Sequence, residues 1–157
     1  MLGGFSVGKT SLVEQYVHSV FSDKYLSTVG VKISKKVMNV DDADMTMVLW
    51  DMEGKDVYAN FNLSYLRGAM GFFIVADGTR KETLEIAMTL RETALKTAGD
   101  IPCILLVNKA DLREQWEITD AMLASVAGLG VGMVFTSAKT GEGVDVAFTN
   151  LAKRMLG

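Results

Sequence analysis

Three features of the chain predict a three-layer α/β domain with a mostly parallel six-stranded sheet, one antiparallel strand and helices on both faces. The first is a glycine loop, "GGFSVGKT" (Gly3 to Thr10), that runs straight into a helical pattern. The second is a set of three continuous apolar runs, "GFFIVAD", "CILLVNKAD" and "GMVFTSAK". Each ends in polar residues, as parallel strands buried on both faces do. The third is the placing of helical periodicity between those runs.

The elements follow in order. Between Lys9 and Val20, the positions Leu12, Val13, Tyr16, Val17 and Val20 recur at helical spacing and predict an amphipathic helix opened by the glycine loop. Residues 31–40, "VKISKKVMNV", and 45–51, "MTMVLWD", alternate apolar with polar side chains around the turn cluster "NVDDAD", so they predict an antiparallel hairpin. Buried strands are expected within 69–79, 101–111 and 132–141. After the first of these, "TRKE" has Thr79 and Glu82 at capping-box spacing, and the helix it opens should run to about Ala98, with Gly99 as the stop. Two further helices fit Ile118 to Ala127 and Gly143 to Leu156, the second with Val144, Phe148, Leu151 and Met155 on one face. Pro102 stands at a strand entrance, where a missing amide donor is tolerated. Only Met1 and Leu2 precede the glycine loop, so the first strand reads as truncated, with residues missing upstream.

Composition narrows the function. At 157 residues, with 49% hydrophobic and 22% charged residues and no repeat or linker, residues 1–157 read as one globular domain. A net charge of −3 with unclustered Lys and Arg argues against nucleic acid as a partner. Cys103 is the single cysteine, which excludes an intrachain disulfide, and its apolar setting reads as a buried thiol in a reducing, cytoplasmic compartment. No run approaches the ~18 apolar residues of a membrane span. The C-terminal "LAKRMLG" holds no cysteine for a lipid anchor, so membrane recruitment would need a partner.

Gly3 to Thr10 matches G-x-x-x-x-G-K-[ST]. In such a loop the amides of Phe5, Ser6, Val7, Gly8 and the residues through Ser11 turn around phosphates, Lys9 reaches the β and γ oxygens, and the Thr10 hydroxyl can bind Mg²⁺. The positive end of the following helix adds to the attraction. In "NKAD" (Asn108 to Asp111) the Asp111 carboxylate can accept from the N1 and N2 donors of guanine, which adenine does not offer. "TSAK" (Thr136, Ser137, Ala138, Lys139) follows the last strand, where the Ala138 amide can reach guanine O6. "WDMEG" places Asp51 to hold Mg²⁺ through water and the Gly54 amide to bond the γ-phosphate. An ATP-using P-loop enzyme would need adenine selection, which "NKAD" opposes. His18 reads as a surface residue, Trp116 as either exposed or a packing lid, and no Ser/His/Asp set or Cys/His metal cluster is present.

The order and spacing of these pieces resemble the Ras-like small GTPases over essentially the whole chain, with "STVGV" most similar to the Rab branch. The resemblance implies the P-loop GTPase fold with GTP or GDP and Mg²⁺ as ligands. It makes Phe21 the aromatic on the guanine, Tyr25 the tyrosine closing over the phosphates, Thr28 the switch threonine on Mg²⁺ and Lys109 the lysine along the base. It also implies that effector, exchange and activating proteins meet residues 21–40 and 51–67. Lys9, Thr28 and Lys55 are then the residues that bear on hydrolysis. Lys55 departs from the family, which has a water-orienting glutamine there; an ammonium only donates. Phe5 replaces a small residue beside the γ-phosphate, and Glu53 adds a negative charge. Hydrolysis is therefore expected to be slow. The alternatives are a nearly inactive GTPase serving as a nucleotide-bound scaffold or as the G domain of a larger protein, and a variant mechanism in which Lys55 itself stabilises charge.

Overall fold

The structure, a computed structural model, describes residues 1–24, 27–52, 54 and 63–157. Its elements are β1 (Leu2–Gly3), α1 (Lys9–His18), β2 (Val31–Val40), β3 (Ala43–Met52), β4 (Phe72–Asp77), α2 (Glu82–Ala98), β5 (Cys103–Asn108), α3 (Asp120–Ala127), β6 (Gly132–Thr136) and α4 (Val144–Leu156). The architecture is α/β, with a parallel four-stranded sheet in the order β1-β4-β5-β6 and an antiparallel β2-β3 pair.

Alternation along β4 and β5 sends side chains to both faces of the sheet. Phe73, Val75, Ile104 and Leu106 join Leu12, Val13 and Tyr16 of α1 and Phe148 of α4. Ile74, Ala76, Leu105 and Val107 meet Leu84 and Ala87 of α2 and Leu123 and Val126 of α3. On the first face Tyr16 stacks on Phe148 with centroids 3.8 Å apart, and Phe73 meets the same ring edge-on at 4.8 Å. Both layers thus pack on one central strand pair, which explains why these runs carry no polar alternation.

The six expected strands are present, but hydrogen bonding divides them between two sheets. β1 is two residues long and pairs only Leu2 with Ile74 and Gly3 with Val75. The hairpin is tied in beside it by the Met1 amine, which donates to the Trp50 carbonyl at 2.8 Å. Its turn is tighter than expected, with Asp41 and Asp42 both at positive φ.

Two local expectations are corrected. Thr79 does not cap α2: Lys81 holds that position without a side-chain cap bond, and the Thr79 hydroxyl donates instead to Asp77 Oδ1 at 2.7 Å. Val20 does not continue the face of α1, because the helix ends at Ser19 in the left-handed region and Val20 is exposed. Gly99 at φ 85 does stop α2, and Leu156 ends α4. Among the described residues, no helix is long and apolar enough to cross a membrane.

Candidate functional site

The parallel strands bring four loops to one edge of the sheet: the glycine loop after β1, Asp77 and Gly78 at the end of β4, Asn108 to Asp111 at the end of β5, and Ser137 to Lys139 after β6. A cavity of about 340 Å³ opens there. Phe5, Ser6, Gly8, Lys9, Thr10 and Ser11 line one side, Phe21, Thr28 and Gly54 the mouth, and Asn108, Lys109, Asp111, Ala138 and Lys139 the far end. This is the crevice at strand carboxyl ends where open α/β sheets hold ligands.

The glycine loop is wrapped around the Lys9 ammonium, which donates to the carbonyls of Gly3 at 3.1 Å and Gly4 at 2.8 Å. Burial pushes that ammonium down to about pKa 8; Asp51 opposes the shift and Arg80 adds to it. A buried cation poor in counter-charge suits an anionic ligand. Gly54 lies against it, since a Cβ there would sit 2.7 Å from both Gly4 O and Lys9 Nζ. Gly8 has φ 98, and a side chain on it would overlap the Asn108 amide.

Next to Lys9, three oxygen groups converge from separate elements. Thr10 Oγ1 donates to Asp51 Oδ2 at 2.5 Å, Thr28 Oγ1 lies 3.2 Å from the same oxygen, and the two hydroxyls are 2.5 Å apart. Asp51 is 1% exposed, yet among the described residues its Oδ1 has no hydrogen-bond partner. An orphaned carboxylate oxygen beside two hydroxyls is a set of hard oxygen donors, and it fits Mg²⁺.

At the far end Asn108 is fully buried and works in both directions. Its Nδ2 donates to Val7 O at 3.0 Å, while its Oδ1 accepts from Thr136 Oγ1 at 3.2 Å and from the Ala138 amide at 3.3 Å. Asp111 stays exposed, with one oxygen taking the Ser137 hydroxyl at 2.7 Å. Ser137 in turn accepts from the Thr140 amide. Val7 and Ser137 are fully buried and stand behind the cavity wall, so their contribution is to hold neighbours. Tyr25, Glu53 and Lys55 lie outside the described residues, as does most of 51–67.

Sequence reading missed several residues here. Ser22, Asp23, Lys24, Ser27, Met52 and Leu112 also line the cavity. Behind it, the buried Asp77 carboxylate pairs with Lys109 Nζ at 2.5 Å and Arg80 Nε at 3.1 Å. Burial alone would push that carboxyl up, but the bonds from Lys109 and Thr79 hold it below the usual carboxylate range. Trp116 is a packing residue: its Nε1 donates to Lys109 O at 2.9 Å, and its ring fills the space over Gly78 and meets Phe135 edge-on. Lys109 itself is at φ 67, which that bond helps to maintain.

A family profile described as Ras family matches residues 1–157. Among curated proteins, the chain is 31% identical over 159 residues to Ras-related protein Rab-4 of Dictyostelium discoideum, covering 99% of this chain and 77% of that one. It is 31% identical to mouse Ras-related protein Rab-32 over 165 residues, covering 99% and 74%. Human Ras-related protein Rab-4A is 33% identical over 159 residues, covering 99% and 72%.

Proposed function

The chain belongs to the Ras family of GTP-binding switches, and from that premise we propose that it binds GTP or GDP with Mg²⁺ in the described cavity and hydrolyses GTP slowly. The observation that carries this reading is the convergence of two chemistries at opposite ends of one cavity. Lys9 with Thr10, Thr28 and Asp51 is suited to a metal-bound phosphate chain; Asn108, Lys109, Asp111, Ala138 and Lys139 are suited to guanine.

Mg²⁺, when bound, would supply positive charge that offsets the negative charge of the phosphate chain. Thr10 and Thr28 offer it hydroxyl oxygens, and Asp51 balances its charge directly or through water. Lys9 donates to phosphate oxygens after exchanging its carbonyl partners. The other oxygen of Asp111 accepts from guanine, with Ser137 fixing the carboxylate plane. Phe21, 37% exposed, covers a base face.

Slow turnover is supported by sequence at Lys55 and by the setting of Phe5. Lys55 has no lone pair with which to orient an attacking water. Phe5 is 54% exposed at the bend of the glycine loop, where it crowds the approach of an arginine from an activating protein. Residues 21–40 and 51–67 are the surface for effector, exchange and activating proteins. Exposed Val29, Ile33 and Val37 supply apolar contact area in the first of these.

The metal part is tested by following release of a fluorescent GDP analogue with and without EDTA. Chelation should speed release at least tenfold in the wild-type chain and have little effect in Asp51→Ala. Equal rates with and without EDTA in the wild type would remove Mg²⁺ from the site.

A further inference from the structure

The side chain of Arg80, in the turn between β4 and α2, reaches the glycine loop from behind. Its Nη2 donates to the Phe5 carbonyl at 2.9 Å and its Nε to Asp77 Oδ2 at 3.1 Å. Asp77 is 0% exposed, and four donors converge on it: the Thr79 amide and hydroxyl on Oδ1, Arg80 and Lys109 on Oδ2. The base of the turn is equally fixed, because the Arg80 amide donates to Asp77 O and its carbonyl accepts from Thr83. The guanidinium is therefore a preset fork between a buried carboxylate and one loop carbonyl.

That carbonyl matters because of the peptide it belongs to. A trans peptide is planar, and its C=O and N–H point in opposite directions. Holding Phe5 O on the Arg80 side turns the Ser6 amide the other way, into the cavity that Ser6 lines. Ser6 is at φ 61, a left-handed conformation that a non-glycine residue occupies at a cost and keeps only when its surroundings impose it. Asn108 acts alike one step further on: its bond to Val7 O turns the Gly8 amide inward. Two side chains thus aim two loop amides, Arg80 from outside the cavity and Asn108 from its wall.

We propose that Arg80, held by Asp77, is a positioning residue that aims the Ser6 amide at the phosphate chain of the bound nucleotide. Because Asp77 also holds Lys109, the same carboxylate ties the phosphate loop to the base loop. The inference rests on the guanine-nucleotide reading and adds a residue to it.

The test measures release of a fluorescent GDP analogue and the ³¹P spectrum of bound GDP for the wild-type chain, Arg80→Ala and Arg80→Lys. Circular dichroism serves as the folding control. Arg80→Ala should release nucleotide about tenfold faster, the loss expected for a charge-assisted hydrogen-bond anchor, and should shift the β-phosphate resonance. Arg80→Lys keeps the charge without the fork and should behave like Arg80→Ala. Wild-type release and spectrum in either variant would overturn the proposal, as would faster release with an unmoved resonance. Failure of the wild-type chain to bind GDP at all would instead remove the nucleotide reading, and this inference with it.

Discussion

Asn108 Nδ2 donates to the carbonyl of Val7 at 3.0 Å, joining residues 101 positions apart. The loop that would read a base is thereby fixed to the loop that would hold its phosphates. Its Oδ1 holds the third loop at the same time, through Thr136 and Ala138.

Asn108→Ala should accordingly do more than weaken one contact. It leaves the Thr136 hydroxyl, the Ala138 amide and the Val7 carbonyl without this partner in a closed interior, and the cost is about 3 kcal/mol of stability. Thermal denaturation should show that loss in the nucleotide-free chain, and GDP affinity should fall in parallel. An Asn108→Ala chain as stable as the wild type would mean that the three loops are held by other contacts.

Base selection is expected to rest on Asp111. Guanine presents two donors to a carboxylate, whereas xanthine replaces one of them with a carbonyl. Asp111→Asn should exchange preference toward xanthosine diphosphate, with discrimination at such a paired site on the order of 10⁴. Competition binding with the two diphosphates checks this; an unchanged preference for GDP would take Asp111 out of the base site.

Cys103 should be an inert thiol. Burial raises it from 9.0 to about 11, with Arg91 and Arg154 opposing. At pH 8 the thiolate fraction, and with it the alkylation rate, should be about 100-fold below that of an ordinary thiol. The native state binds this proton more tightly than the unfolded chain does. Its stabilising contribution is therefore complete below pH 9 and is lost as pH rises toward 11. Iodoacetamide labelling of the folded chain measures the first effect, and the difference in pH–stability profile between wild type and Cys103→Ser the second.

Lys55→Gln should restore an acceptor for the attacking water. Single-turnover GTP hydrolysis is expected to rise about tenfold, equivalent to about 1.4 kcal/mol of barrier. A slower Lys55→Gln enzyme would make Lys55 itself catalytic.

The parts of the site legible in the sequence were those carried by short contiguous spacing. Gly3 to Thr10 and Asn108 to Asp111 each sit where a strand ends, so a one-dimensional pattern already contains their geometry. Asp77 and Arg80 were not legible, because their partners lie far away in the chain: Phe5 for Arg80 and Lys109 for Asp77. For Trp116 the sequence left two readings open, and packing against Gly78 and Phe135 selects the lid. Thr79 shows the opposite error. Its spacing to Glu82 satisfied a local capping rule, but a buried carboxylate two residues earlier competed for the hydroxyl. The six strands divide between two sheets, and β1, which the sequence already read as short, pairs with β4 over two residues.

Nucleotide selectivity decides the central claim most directly. Chain stripped of nucleotide is titrated in a calorimeter with GDP and then with ADP, each in the presence of Mg²⁺. Tight, saturable binding of GDP with no detectable heat from ADP is the expected result, and Lys9→Ala should abolish the GDP signal. Binding of ADP as tightly as GDP, or of neither, would contradict a guanine-nucleotide switch.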